Sequence, residues 1–419
     1  MVLSINDIRS YLGATCPLWL YLATCLVFSS GDTVQDVSAN PLRLSVIHKV
    51  VLMPLIFAIS VRRLFAWPSL IIQTPGPLRF YFAYILVALA TLPFGLWPFF
   101  SIWKVFEVIT AVLAGLGVAV FIGPRRLPAA LATVIASILA LVWIGVVLSP
   151  SRGMSLGVYD AARAFPLQLN GWLIGWNSNS IGVFSALLVL LTAGMSLNWS
   201  RMVRITWYFS LACTLFFAQS RTSFGVLGFG IVLLALKRRN YGMLVIVLML
   251  GVGCVMLFSP NPEVLINYIT HGKGVDSHLF RNASGRMPMW QYAIDRMPGH
   301  WLTGYGFAVG SRYLMMDFGR AECSTMESDF VDSLVSVGIW GPILIAGVYL
   351  SNFIALARNR NPFGPRLIGT VAIGSLLVRS LTGTSLASGS LYVLVFTCLA
   401  FMVGFSADDA DTEDTQLIW

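Results

Sequence analysis

Charge is what this chain has least of. Only 11% of its 419 residues are charged, against about 25% in soluble domains, which excludes an ordinary water-soluble fold. Histidine is nearly missing too, with four in the whole chain. His271 and His278 stand seven apart in a Gly-containing loop, and no Cys, His or carboxylate spacing resembles a closed metal site, so no metal is expected. Five of the six cysteines (Cys16, Cys25, Cys213, Cys254 and Cys398) fall within apolar runs, which leaves Cys323 alone and no disulfide framework. A Gly-Lys-Ser/Thr phosphate loop and a nucleophile elbow are both absent, so nucleotide chemistry has no visible equipment and no cofactor is implied. No parallel or inverted repeat is visible, which weighs against a transporter.

What the chain does have is apolar length. Hydrophobic residues make up 57% of it, in runs near 12–29, 44–61, 79–95, 101–121, 128–148, 173–196, 203–219, 222–236, 241–258, 329–356, 367–382 and 386–405. The runs are long and continuous rather than short and alternating, which predicts an all-α polytopic membrane protein with about 12 transmembrane helices. The first run is flanked only by Arg9 and followed by further spans, so it reads as a retained helix rather than a signal peptide.

The net charge of +9 does not imply nucleic acid, because much of it lies in short loops. Arg62/Arg63, Arg125/Arg126, Arg201/Arg204, Lys237/Arg238/Arg239 and Arg358/Arg360 all fall on the side of both termini, which the positive-inside rule makes cytoplasmic. The expected organisation is transmembrane helices over 1–258, an extracytoplasmic loop over 259–328, transmembrane helices over 329–405, and an acidic cytoplasmic tail over 406–419. A smaller outer loop around 149–171 carries Arg152, Asp160 and Arg163.

Four elements could carry chemistry. The run from Val203 to Leu236 is long enough to cross twice, with Gln219-Ser220-Arg221-Thr222-Ser223 at its midpoint. Arg221 therefore sits at the outer face, either as a snorkelling anchor or, with its hydroxyl neighbours, as a ligand for an anionic head group. Ser284-Gly285-Arg286 precedes a predicted helix from Met287 to Met297, with Trp290, Ala293, Ile294 and Met297 at helical spacing. Such a helix would lie on the membrane with its apolar face down, and Arg281 and Arg286 at its start suit a phosphate clamp. Gly304-Tyr305-Gly306 reads as a tight, mainly structural turn; His300 just before it is more often a surface histidine than a catalyst. Finally, Glu327, Asp329 and Asp332 sit at the mouth of the next run. Glu327 reads either as a general base or, through Ser324-x-x-Glu327, as half of a capping box.

In this order the elements resemble the O-antigen ligase and polymerase superfamily. The resemblance rests on Ser220-Arg221, Ser284-Gly285-Arg286 with Trp290, Gly304-Tyr305-Gly306, and Gly338-Ile339-Trp340-Gly341. It implies a GT-C-like, metal-independent glycosyltransferase that takes a glycan from undecaprenyl diphosphate at the periplasmic face of a bacterial inner membrane. The ligases carry His followed by Asn, Ser or Gln, nine residues before Gly-x-x-Gly; here the His position is Glu327. An acidic residue there looks more like the polymerases of capsule, exopolysaccharide or O-antigen repeats.

The expectation is thus an inverting polymerase acting on a lipid-linked donor and a lipid-linked acceptor. A chain-length regulator and a flippase are possible partners. In this expectation Glu327 and Asp329 are catalytic, and Arg221, Arg286 and Arg281 hold the diphosphate. Arg152, Arg163, Arg312, Arg379 and His300 are secondary substrate contacts. The alternatives are a ligase transferring glycan to lipid A core or another acceptor, and a glycan flippase or transporter.

Overall fold

The computed structural model describes residues 5–25, 44–65, 74–156, 167–173, 176–195, 197–242, 286–320, 324–387 and 390–404. Helices α1 (Ile5–Cys25), α2 (Leu44–Phe65), α3 (Gly76–Ala90), α4 (Pro98–Ile122) and α5 (Leu127–Leu148) come first. A one-turn helix, α6 (Pro150–Gly153), leads into strands β1 (Met154–Leu156) and β2 (Leu167–Leu169). The strands pair antiparallel with Met154 opposite Leu169, a small hairpin that the all-α expectation missed. Then follow α7 (Ser178–Gly194), α8 (Arg201–Ala218), α9 (Arg221–Arg238), α10 (Arg286–Asp295), α11 (Val309–Asp317), α12 (Asp329–Val337), α13 (Trp340–Arg358), α14 (Pro365–Thr382) and α15 (Ser390–Gly404).

Local chemistry sets the boundaries. Proline in the first turn starts α4, α5 and α14, where its missing N–H costs nothing. The side chains of Asn177, Ser200 and Ser220 accept from Ser180, Val203 and Ser223 backbone N–H groups, capping α7, α8 and α9. Among the described residues, α4, α5 and α13 are long and apolar enough to cross a bilayer, and α3, α7 and Leu391–Gly404 are shorter apolar helices. This is a helical membrane protein.

Helices α4, α7, α14 and α15 pack around the main apolar core, to which Phe184, Ile373, Leu376 and Phe396 contribute. A second, smaller cluster joins Met289, Ala293, Met297, Tyr305, Leu314, Met315, Met326 and Val335. It is the private core of α10, α11 and α12. Part of the apolar face of α10 is used there: Met289 and Ala293 are buried against protein, while Met287 and Ile294 are exposed.

The continuous span expected over 329–356 is corrected. The run is two helices, broken at Gly338, whose φ is +76°. At nine residues, α12 is too short to cross a bilayer. A Cβ on Gly338 would lie 2.4 Å from the carbonyl oxygen of Trp301, and one on Gly304 would lie 2.5 Å from the carbonyl carbon of Ser336. These glycines let the 301–306 segment lie directly on the break. Tyr305 N–H donates to Val335 C=O (2.8 Å), Gly306 N–H to Ser336 C=O (3.1 Å), and Ile339 N–H to Trp301 C=O (2.8 Å). The structural role read for the Gly-Tyr-Gly turn thus has a physical form. The expected span 241–258 beyond Gly242, residues 259–285 of the expected loop, and the acidic tail lie outside the described residues.

Candidate active site

Glu327 sits immediately before α12, with φ of +53°. A left-handed backbone is uncommon outside glycine and is held only where the surroundings impose it. The clamp is visible on the preceding residue. Met326 N–H donates to Asp332 Oδ1 (2.9 Å) and its carbonyl accepts from Trp290 Nε1 (2.7 Å). Arg286 lies four residues before Trp290, on the same face of α10, and its Nε donates to Glu327 Oε2 in an ion pair. Arg286 and its downstream Trp290 therefore hold two neighbouring residues: Trp290 the Met326 carbonyl, Arg286 the Glu327 carboxylate. Glu327 remains 41% exposed and Arg286 17% exposed, so the pair faces solvent while its support is buried.

The capping-box reading fails. Helix α12 begins at Asp329 with Ser328 at its N-cap position, so Glu327 precedes the helix and its side chain is turned to Arg286.

The two aspartates behind it have a different environment. Asp329 is 0% exposed. Its Oδ1 accepts the backbone N–H groups of Ser385 (2.8 Å), Leu386 (2.9 Å) and Ala387 (2.8 Å), and Oδ2 accepts from Ser380. Tyr81 and Tyr84 on α3 donate to the carbonyls of Leu386 and Ala387, gripping the same loop from its other side. Asp332 accepts from Ser311, Thr384 and Met326 N–H. Burial pushes the Asp332 carboxyl up to about 6, against the pull of those donors, and raises Asp329 likewise. Both lie on α12, outside the membrane-crossing helices.

Helix α14 ends in this network. Thr382 hydrogen-bonds Thr222 (3.0 Å) in the first turn of α9, and Ser328 Oγ donates to Ser380 C=O (3.3 Å). The last turn of α14 thus joins the Arg221 hairpin to the Glu327 segment. That hairpin turns where predicted: Gln219 is left-handed at φ +50°, and Arg221 opens α9 on the surface. Gly182 on α7 makes the fit possible, since a Cβ there would lie 2.3 Å from Ser223 Oγ.

Arg379, one turn back on α14, is only 6% exposed. Among the described residues no carboxylate pairs with it, and its Nε has no hydrogen-bond partner. Its guanidinium lies 5.6 Å from the centre of the Tyr392 ring, itself stacked on Phe184 and then Trp176. A buried cation without a counter-charge is costly.

The other candidates stand apart from Glu327. Arg152 is exposed and lies 5.5 Å from the Trp172 ring. His300 stacks on Tyr305 at 4.0 Å and supports the turn. Arg312 lies over Phe100, 4.9 Å from the ring centre. Arg281 and Arg163 lie outside the described residues, as do Ser284 and Gly285. Residues Ser380, Thr384 and the 385–387 amides escaped sequence reasoning. Their signal was the polar run Ser380-Leu381-Thr382-Gly383-Thr384-Ser385 between two apolar runs. The described residues include no cluster of His, Cys, Asp and Glu able to hold a metal.

Residues 206–346 match the family model described as O-antigen ligase. The matched stretch runs from α8 into α13 and contains Arg221, Arg286, Trp290, Glu327 and both glycine motifs. No curated protein matches the chain. The match supports the O-antigen ligase and polymerase superfamily, whose members are glycosyltransferase-like enzymes acting on lipid-linked oligosaccharides.

Proposed function

We propose that this membrane protein, carrying an O-antigen ligase-type domain over 206–346, is a polysaccharide polymerase of the bacterial inner membrane. In this reading its site opens to the periplasm and both termini are cytoplasmic. The hydroxyl oxygen of a lipid-linked repeat unit attacks the anomeric carbon of a glycan on undecaprenyl diphosphate. The bond from that carbon to the phosphate oxygen breaks, the electron pair leaves with the diphosphate, and the hydroxyl proton goes to Glu327. Attack from the face opposite the leaving group inverts the anomeric configuration.

The observation that carries this reading is the Glu327–Arg286 pair. A part-exposed carboxylate is held on a forced backbone by an arginine that a diphosphate would also seek. An arriving diphosphate competes for Arg286 and frees Glu327 for the acceptor hydroxyl. Arg221 at the start of α9 and the unpaired Arg379 supply further positive charge to the leaving group, and Arg281 assists. Asp329 takes a positioning part: four donors already hold its carboxylate, three of them on Oδ1, and it aligns α12 with the 385–387 loop. Arg152, Arg163 and His300 are peripheral contacts to the glycan.

The ligase reading draws on the description of the matched family, and the acidic residue at the ligases' His position speaks for the polymerase. Purified protein incubated with lipid-linked repeat units separates them. Longer lipid-linked chains support the polymerase; a conjugate to another acceptor replaces it with the ligase, and no covalent change removes both.

A further inference from the structure

Two basic side chains, Lys104 on α4 and Arg312 on α11, meet over the Phe100 ring beside Glu107. Lys104 Nζ pairs with Glu107 Oε2 at 2.7 Å, and Trp103 Nε1 donates to Glu107 Oε1 at 2.7 Å. Glu107 is thereby already neutralised. Arg312 adds a second cation from α11, with its guanidinium 4.9 Å from the centre of the Phe100 ring, and Lys104 Nζ lies 5.7 Å from the same centre. Lys49 on α2 comes within Coulombic range of Lys104. Among the described residues Arg312 has no carboxylate partner, and burial lowers its pKa, with Glu107 only partly compensating. The cluster therefore carries uncompensated positive charge beside an aromatic ring.

Its place in the fold separates it from Glu327. Ser311 on α11 faces Asp332; Arg312, the next residue, is turned about 100° around the helix toward α4. Ser101 Oγ donates to Phe307 C=O at 3.1 Å, and Leu96 N–H donates to Tyr305 C=O at 3.0 Å. These bonds fasten the start of α4 to the same outer layer that carries Glu327. The two basic sites thus lie on different faces of one hydrogen-bonded layer, at one end of the spans.

We propose that Arg312 and Lys104, which share the Phe100 ring, form a second diphosphate site, which holds the lipid-linked acceptor while the Arg221–Arg286 side holds the donor. This rests on the polymerase reading, in which both substrates carry a diphosphate; a ligase would need only one such site. The chemistry recognised is a phosphate or diphosphate on an apolar tail, and an ordinary phospholipid is the competing source.

The test uses the full chain in detergent with geranylgeranyl diphosphate as probe, counted by native mass spectrometry. Wild type is expected to bind two molecules and Arg312→Gln one; Arg312→Gln leaves no buried partner stranded. A count unchanged by Arg312→Gln overturns the site. Displacement of the second molecule by an equal concentration of phosphatidylglycerol overturns the acceptor assignment in favour of a lipid head group. With lipid-linked repeats, Arg312→Gln should raise KM for the acceptor about tenfold, with kcat and donor KM held and Arg312→Lys in between. Equal changes in both KM values would sink the division of labour. If wild type makes no polymer, the polymerase reading falls and the acceptor assignment with it, while the probe count still decides whether a second anion site exists.

Discussion

The two ends of α9 use the same kind of residue for opposite ends. At its C-terminus, Lys237 Nζ donates to the carbonyls of Ala357 and Asn359, each at 3.3 Å. Arg238 donates to Ala193 (3.1 Å), Gly194 (2.9 Å) and Pro362 (3.3 Å) carbonyls, and lies over Phe363. Those carbonyls include the open ends of α7 and α13, which no intrahelical N–H can reach. There the charge is consumed by the fold. On the side where α9 begins, among the described residues, Arg379 has an unpaired Nε and Arg286 pairs with the part-exposed Glu327. Counting basic residues does not distinguish the ends. Counting what accepts their hydrogen bonds does.

Breaking that contrast gives a graded series. The largest loss belongs to Glu327→Gln, expected to cut chain elongation by about 10²–10⁴-fold with protein at normal levels, as read from glycan ladders in a strain making the polymer. Arg221→Ala should act in the same direction, and long chains from both variants would reject the site. Asp329→Ala strands three backbone N–H groups and a hydroxyl; a stability loss of about 3 kcal/mol or more should appear as a lower melting temperature in detergent. Arg379→Met sharpens the contrast most, because it should abolish elongation yet stabilise the empty protein by roughly 1–4 kcal/mol. A lower melting temperature would instead mark Arg379 as structural. Arg238→Ala should cost about 1–2 kcal/mol, with activity per folded molecule unchanged. Arg360→Ala, at an exposed position, should shift stability by less than about 0.5 kcal/mol.

Some of this was legible in sequence for a physical reason. The α8–α9 hairpin announced itself because polar residues 219–223 interrupt a run too long for one crossing. Helix α10 was readable from the helical spacing of its apolar residues. The break at Gly338 was not, because hydropathy continues through it and only a left-handed torsion interrupts the helix. Glu327 misled local reading in the same way. Its spacing from Ser324 fits a cap, but its partner is Arg286, 41 residues away, and no local pattern encodes such a contact. From sequence, Asp329 was visible only as a carboxylate at a helix mouth. Its four donors come from α14 and the loop beyond it, which only the fold brings near.

The torsion of Glu327 has a practical consequence. A left-handed residue is the one place where glycine is conformationally welcome, so Glu327→Gly would remove the carboxylate and relax the backbone together. Most inactivating substitutions leave a damaged protein. This one should leave a sound protein with Arg286 unoccupied, able to gather its lipid-linked substrates and unable to join them: a reagent for capturing the loaded complex.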